Sequence, residues 1–249
     1  MSAFVDPLGA LGALVRTSPG QPLLTYYDSG TGERIELSAV TVDNWVTKIA
    51  NLLADDLMLD PNDRIAVELP THWQTAVVML GAWAAGLTVV APTAPAVALR
   101  VVGPDAVAAS GRQPSTDLVL ACSLRPLAGR FTTPLPAGWL DFAAEVPPQP
   151  DLLLEPRPMA DPMIVLREPL SPAAVLVRGR EAAASLGLVA GGRLLTDLNP
   201  GHHDGLTGGL AACLAVGASL VLMTGTAGEA RAAVARQEQV TCVRWSDQV

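Results

Sequence analysis

Two long stretches of this chain, Leu69 to Leu99 and Gly205 to Gly228, contain no charged side chain, and each is broken by glycines and threonines. Such runs are long enough to raise a membrane span, but the internal glycines argue otherwise. Each run reads as a buried helix, a glycine stop and then a short aliphatic strand, the pattern of a strand covered on both faces. That restricts the chain to a layered α/β protein with helices packed on mainly parallel sheets. A chain of 249 residues with 50% hydrophobic and 16% charged side chains is long enough to fill such a core.

The local signals follow the same grammar. Leu23 to Tyr27 and Arg34 to Leu37 flank the turn-rich Asp28-Ser29-Gly30-Thr31-Gly32 and predict a hairpin. Ser38 or Thr41 can cap a following helix, in which Val42, Trp45, Val46, Ile49, Leu52 and Leu53 make one apolar stripe ending near Leu57. Arg64 to Leu69 predicts a strand, Pro70-Thr71-His72 a helix entry, Trp73 to Ala85 a helix, Gly86 its stop and Leu87 to Val90 the next strand. The unit recurs: Arg193 to Leu198 is a strand, Asn199-Pro200-Gly201-His202 the turn, a helix runs from about Leu206 to the stop at Gly217, and Ser219 to Leu222 is a strand. Both copies have Arg at the strand start, an acidic residue late in the strand, Pro-x-His at the turn and a glycine before the second strand.

Between the copies lie a predicted strand at Asp117 to Ala121 and a loop-rich stretch, ten of the 21 prolines falling between Pro134 and Pro172. This divides the chain into a first half, 1–131, a connection, 132–162, and a second half, 163–249, of one composite domain. The N-terminal MSAFVDPLGALGALVRTSPG reads as a short amphipathic helix and not as a secretory signal, since it lacks a basic leading region. Val240 to Trp245 predicts a last strand.

In order, these elements resemble the N-terminal region of the adenylate-forming superfamily, which includes acyl-CoA synthetases and nonribosomal adenylation domains. The resemblance is carried by LSAVTVDNWVTKIANLLADDLMLDPNDRIAVELPTHWQTAVVMLGAWAAGLTVVAP (Leu37 to Pro92) and resumes with GLVAGGRLLTDLNPGHHDGLTGGLAACLAVGASLVLM. It implies two mainly parallel sheets of repeated βαβ units packed with helices. It also implies acyl-adenylate formation from a carboxylate and ATP, and it sets His202 at the place of a family histidine beside the acyl and adenylate pocket. The family grips phosphate with a Ser/Thr/Gly-rich loop ending in Pro-Lys-Gly, placed after a strand like Met163 to Leu166. Here that place holds Arg167-Glu168-Pro169-Leu170-Ser171-Pro172-Ala173-Ala174, and no glycine, threonine or lysine occurs from Trp139 to Arg178. Two prolines remove amide donors and Glu168 adds negative charge, so the segment reads as a loop unable to cradle a triphosphate. The resemblance further implies that the adenine, ribose and magnesium residues and the mobile C-terminal domain come after the point where this chain ends, which reads as a truncated relative.

The remaining polar candidates are few. Asn199 to Gly209 reads as a glycine-rich loop between strand and helix, where open α/β sheets place ligands, and it offers His202, His203, Asp204 and Gly205 for substrate binding. Adjacent histidines rarely chelate one ion, so no metal is assigned. No G-x-S-x-G elbow is present, and no catalytic residue is assigned. His72 reads as a helix-entry residue. Lys48, the sole lysine, reads as a solvated charge on its helix face. Four of the five tryptophans, Trp45, Trp73, Trp83 and Trp139, read as core or interface fillers. Cys122, Cys213 and Cys242 read as reduced, buried thiols and place the protein in the cytoplasm.

The functional expectation is a catalytically degenerate relative acting through small-molecule binding or protein association; the alternative is a residual acyl-CoA synthetase or ligase activity completed by a partner chain. It carries no cofactor of its own, with ATP, AMP or CoA bound only if the family site survives. A homo-oligomer or protein partner and a small carboxylate or nucleotide ligand are the expected partners. The formal net charge of -8, with the arginines scattered singly, excludes nucleic acid, and no membrane association is expected.

Overall fold

The computed structural model describes residues 5–110, 118–153, 157–225 and 228–248. Along the chain the first elements are α1 (Pro7–Thr17), β1 (Pro22–Asp28), β2 (Glu33–Ser38), α2 (Ala39–Asn51), β3 (Arg64–Glu68), α3 (Trp73–Ala84), β4 (Thr88–Val90), β5 (Leu99–Val102), α4 (Pro104–Ala109) and β6 (Leu118–Ala121). There follow β7 (Leu140–Asp141), α5 (Phe142–Glu145), β8 (Ile164–Val165), β9 (Pro169–Leu170), α6 (Pro172–Leu186), β10 (Arg193–Thr196), α7 (His203–Gly205), α8 (Ala211–Val216), β11 (Ser219–Thr224), α9 (Glu229–Gln237) and β12 (Cys242–Arg244). The chain groups into two compact units. The first takes the described part of Met1–Asp43, Thr71–Ala76 and Pro172–Val249, and the second Asn44–Pro70 and Val77–Ser171.

The first unit holds a five-stranded sheet in the order β12-β10-β11-β1-β2, parallel except for the β1–β2 hairpin. The hairpin forms because Asp28 closes the turn: its carboxylate accepts from the Gly30 amide at 2.8 Å and from the Thr31 hydroxyl at 3.0 Å. One face of this sheet carries Leu195, Val221 and Met223, buried with Val234 of α9 and with Trp245. On the other face α8 packs on α6, and a Cβ on Gly179 of α6 would lie 2.5 Å from the Ala211 carbonyl oxygen, so only glycine allows this approach.

The second unit holds a seven-stranded sheet, β7-β6-β5-β3-β4-β8-β9, parallel except for β8–β9. Its core is the βαβ unit β3–α3–β4. α3 carries no charged residue, and its segment from Val77 to Ala84 is buried almost throughout, with Trp83 fully enclosed. Burying a side chain of that size contributes roughly 3 kcal/mol. The stop is at Gly86, with φ +79°, as Gly217 at φ +75° is the stop in the first unit. The fold class, two mainly parallel sheets built from repeated βαβ units, is that expected from the sequence.

Several local expectations change. β5 joins β3 to β6 in the middle of the sheet, yet its four residues at the end of a charge-free run carry too little pattern to be read. α2 runs on into a π-helical turn, Leu52–Asp56, and Arg157 donates to the carbonyl of Ala54 within it, at 3.2 Å, and to that of Leu59 beyond it, at 2.9 Å. Lys48 is not a freely solvated charge, because its ammonium donates to the carbonyls of Pro147, at 3.0 Å, and Gln149. Asn51, one turn on, donates to those of Pro150 and Leu152, so α2 staples down the Pro-rich connection. The segment Arg167 to Ala174 is no open loop: β8 pairs antiparallel with β9, and Pro172 starts α6. Cys122 and Cys213 are buried, and burial pushes both thiols up, whereas Cys242 is only half-buried and donates to the Leu186 carbonyl at 3.3 Å. Of the tryptophans, Trp73 and Trp83 are core, and Trp45 stacks on Phe142 with ring centroids 5.8 Å apart. Among the described residues no helix is long and apolar enough to cross a membrane.

Candidate functional site

The glycine-rich stretch after β10 sits at the carboxyl edge of the first unit's parallel strands, where such sheets open a crevice. Asn199 bends the chain out of β10, its side-chain oxygen accepting from the Gly201 amide at 2.8 Å while its carbonyl accepts from the His202 amide at 2.9 Å. The expected loop is shorter than read, since helix begins at His203 and passes through a π-helical turn, Leu206–Leu210, into α8. Two glycines explain this path. A Cβ on Gly205 would lie 2.0 Å from the Asn199 carbonyl oxygen, and one on Gly208 would lie 2.1 Å from a guanidinium nitrogen of Arg244. The wider turn makes room for that guanidinium, in keeping with π-turns at ligand sites.

The four residues read from the sequence are thus placed differently. His202 is exposed at the helix start and its side chain makes no capping bond. His203 and Asp204 are half-buried side by side, with Nδ1 of the histidine 3.2 Å from Oδ1 of the aspartate. Gly205 is buried against Asn199 and serves the turn's geometry. Among the described residues no cluster of three or more His, Cys, Asp or Glu side chains is arranged to hold a metal ion.

Strand register brings in residues that the sequence reading passed over. Tyr26, Leu222, Thr196 and Arg244 lie in one row across β1, β11, β10 and β12, and parallel neighbours in register share a face. Arg244 is half-buried over Gly208 and makes no hydrogen bond or ion pair with another described residue. The only sequence signal for it was an arginine ending an otherwise apolar strand. Beside it Asp197 is heavily engaged. Its carboxylate takes the Ser246 amide at 2.7 Å and Arg231 at 2.9 Å, its carbonyl takes the Thr71 hydroxyl at 3.0 Å, and Arg231 lies 3.9 Å above the Trp245 ring.

His72 belongs to the same unit and is 2% exposed. Its ring meets Tyr26 edge to face, centroids 4.4 Å apart, and Tyr26 in turn shares a hydrogen bond of 3.1 Å with Thr224. Nδ1 accepts from the Gln74 amide at 3.2 Å, which assigns the proton to Nε2, an atom with no partner among the described residues. Burial lowers the His72 pKa to about 4, against a small opposing pull from Asp28, so the ring is neutral near pH 7.

The segment expected from the sequence to stand in place of a phosphate loop, Arg167 to Ala174, is a hairpin and a helix start. Only Leu166, Arg167 and Glu168 separate β8 from β9, the Met163 amide is bonded to the Leu170 carbonyl at 3.0 Å, and Pro169 and Pro172 have no amide hydrogen to offer. A tight hairpin with a carboxylate at its turn does not cradle a triphosphate.

No family model matches the chain. The fold, however, is that of the adenylate-forming enzymes. A Brucella canis acyl-CoA synthetase superposes with a TM-score of 0.76 at 19% identity, over 97% of this chain and 47% of its own. MbtA of Mycobacterium smegmatis gives 0.76 at 21%, over 96% of this chain and 47% of its own, and the acetoacetyl-CoA synthetase of Streptomyces lividans gives 0.75 at 21%, over 98% and 42%. The chain therefore has the fold of these enzymes' N-terminal domain and spans less than half of their length. More particularly, it is 42% identical over 222 residues to a TIGR03089 family protein of Mycobacterium tuberculosis (strain ATCC 25618 / H37Rv), covering 88% of this chain and 87% of that one, and it belongs to that family.

Proposed function

We propose that this protein is a catalytically degenerate relative of the acyl-adenylate-forming enzymes, acting by binding a small carboxylate or by association with another protein chain. The observation that supports this reading is the β8–β9 hairpin, which the sequence resemblance matches to the family's phosphate loop and which has neither glycine, threonine nor lysine. Arg244 supports the carboxylate: a half-buried guanidinium over Gly208 with no acid partner among the described residues offers a two-pronged grip to a carboxyl group. His203, Asp204 and the exposed His202 border the same helix start. Free cysteines favour a reducing, cytoplasmic setting.

A thermal-shift titration against ATP with magnesium, AMP, CoA and a series of aliphatic and aromatic carboxylic acids tests the reading. We expect no rise with nucleotides and a saturable rise with one class of carboxylate that disappears in Arg244→Gln. A saturable rise with ATP, accompanied by carboxylate-dependent pyrophosphate exchange, would sink it and favour the alternative, a residual ligase activity completed by a partner chain. Association is tested separately by light scattering on the eluting protein, where a monomer at all concentrations would remove the oligomer from the proposal.

A further inference from the structure

At the opposite, amino edge of the first unit's strands lies a cavity of about 680 Å³, between the end of α1, the starts of β1, β10 and β11, and the end of α8. We propose that it binds an uncharged small molecule carrying amide groups. Its volume lies within the range of cavities that enclose small organic ligands, roughly 300–1,000 Å³. Leu14, Leu23, Leu214 and Val216 contribute its apolar wall.

The charge of the ligand is set by the lining. Arg193 and Glu238 are the only charged residues there, and they neutralise each other through an ion pair of 2.6 Å. Glu238 is held further by Tyr27 and by Arg34, whose guanidinium also pairs with Glu36 at 2.6 Å, so two cations face two anions. Although burial works against its ionisation, those hydrogen bonds and the Arg193 charge keep the Glu238 carboxyl below the usual range. A carboxylate or phosphate entering the cavity would find no free cation and would lose its hydration uncompensated.

The polar demand of the ligand is set by what is left unbonded. Arg193 spends one terminal nitrogen on Glu238, Glu36 and Thr25, while its Nε is buried with no acceptor among the described residues. The side chains of Ser18, Gln21 and Gln239, all in the lining, make no hydrogen bond to a described residue and can meet both halves of an amide. Gln239 adds a second observation: it follows α9 with φ +50°, in the left-handed region where glycine is the usual residue. That conformation closes α9, the Val240 amide donating to the Ala235 carbonyl at 2.9 Å, and it sets the glutamine amide at the cavity wall.

Amide-detected NMR titration of the full chain with N-acetyl-leucyl-leucinamide tests this, with N-acetyl-leucyl-leucine as the charged control. We expect saturable shifts confined to residues 13–23, 190–193, 214–219 and 238–239, with the acid binding at least about tenfold more weakly. Gln239→Gly removes the amide and relieves the backbone, so it should weaken the neutral probe by about fivefold with an unchanged or higher melting temperature. No saturation at millimolar probe, equal affinity for the acid, or unaltered affinity in Gln239→Gly would each overturn the proposal. None of these outcomes bears on the carboxylate site at the other strand edge, which this cavity does not share.

Discussion

The two strand-to-helix turns of this protein, Leu69-Pro70-Thr71-His72 and Leu198-Asn199-Pro200-Gly201-His202, share a sequence grammar and end in opposite environments. The first delivers His72 to a dry contact with Tyr26 and starts the helix α3, in which Trp83 and most of its neighbours are fully buried. The second, longer by one residue and containing Gly201, leaves His202 exposed and is followed by a widened turn over which Arg244 lies. One inserted residue, Asn199, with its tight bend, and a glycine in the place of Thr71 therefore separate a core-building turn from an accessible one. The repetition of a motif carried the fold, while its departures carried the candidate site.

The largest expected effect breaks the open turn. Gly205→Ala drives a methyl group into the Asn199 backbone and should destabilise the protein by roughly 3 kcal/mol, read as a lowered urea midpoint at unchanged slope. A variant as stable as the parent would show that the helix start does not need that approach.

Next comes the closed turn, through pH. The His72 pKa falls from an ordinary 6.5 to about 4 in the folded state, so between those values the unfolded chain binds more protons. This contribution is complete above pH 6.5 and is lost as pH falls towards 4, the loss reaching about 2–3 kcal/mol by pH 4.5. His72→Phe should flatten that part of the stability profile, and an unchanged profile would show that the ring is not buried neutral.

A smaller effect is expected from Arg231→Ala, which removes the partner of Asp197 and the cation above Trp245 and should cost about 1–2 kcal/mol. A shift in native-state tryptophan emission that Arg231→Ala produces in the parent but not in a Trp245→Phe background would tie the effect to Trp245. The smallest belongs to His202→Ala. The side chain is exposed and makes no cap, so stability should move by no more than about 0.5 kcal/mol, and a larger loss would place it in the core network alongside His72.

Legibility followed length and local chemistry. The hairpin, α2, the β3–α3–β4 unit and β10 to β11 were readable because turn residues, glycine stops and long apolar periods act within one segment. β5, β7 and β9 were not, since two to four residues carry no period and their pairing partners lie far along the chain. At the candidate site, Asn199 and the glycines were readable as a strand-end turn. Arg244 was not, because its position above Gly208 depends on the register of β12 against β10. His72 and His202 share a motif, and only packing tells them apart.

By itself the sequence determined the layered α/β class, the repeated strand–turn–helix–glycine unit and a stretch from Trp139 to Arg178 without glycine, threonine or lysine, since each depends on the kinds and spacing of residues within one segment. Tertiary structure decided that Lys48 is a staple, that His72 is buried neutral while His202 is exposed, and that Arg244 overlies Gly208. Burial, register and the distance between residues far apart in the chain arise only when separate segments meet, and those quantities set the charge and reach of a side chain.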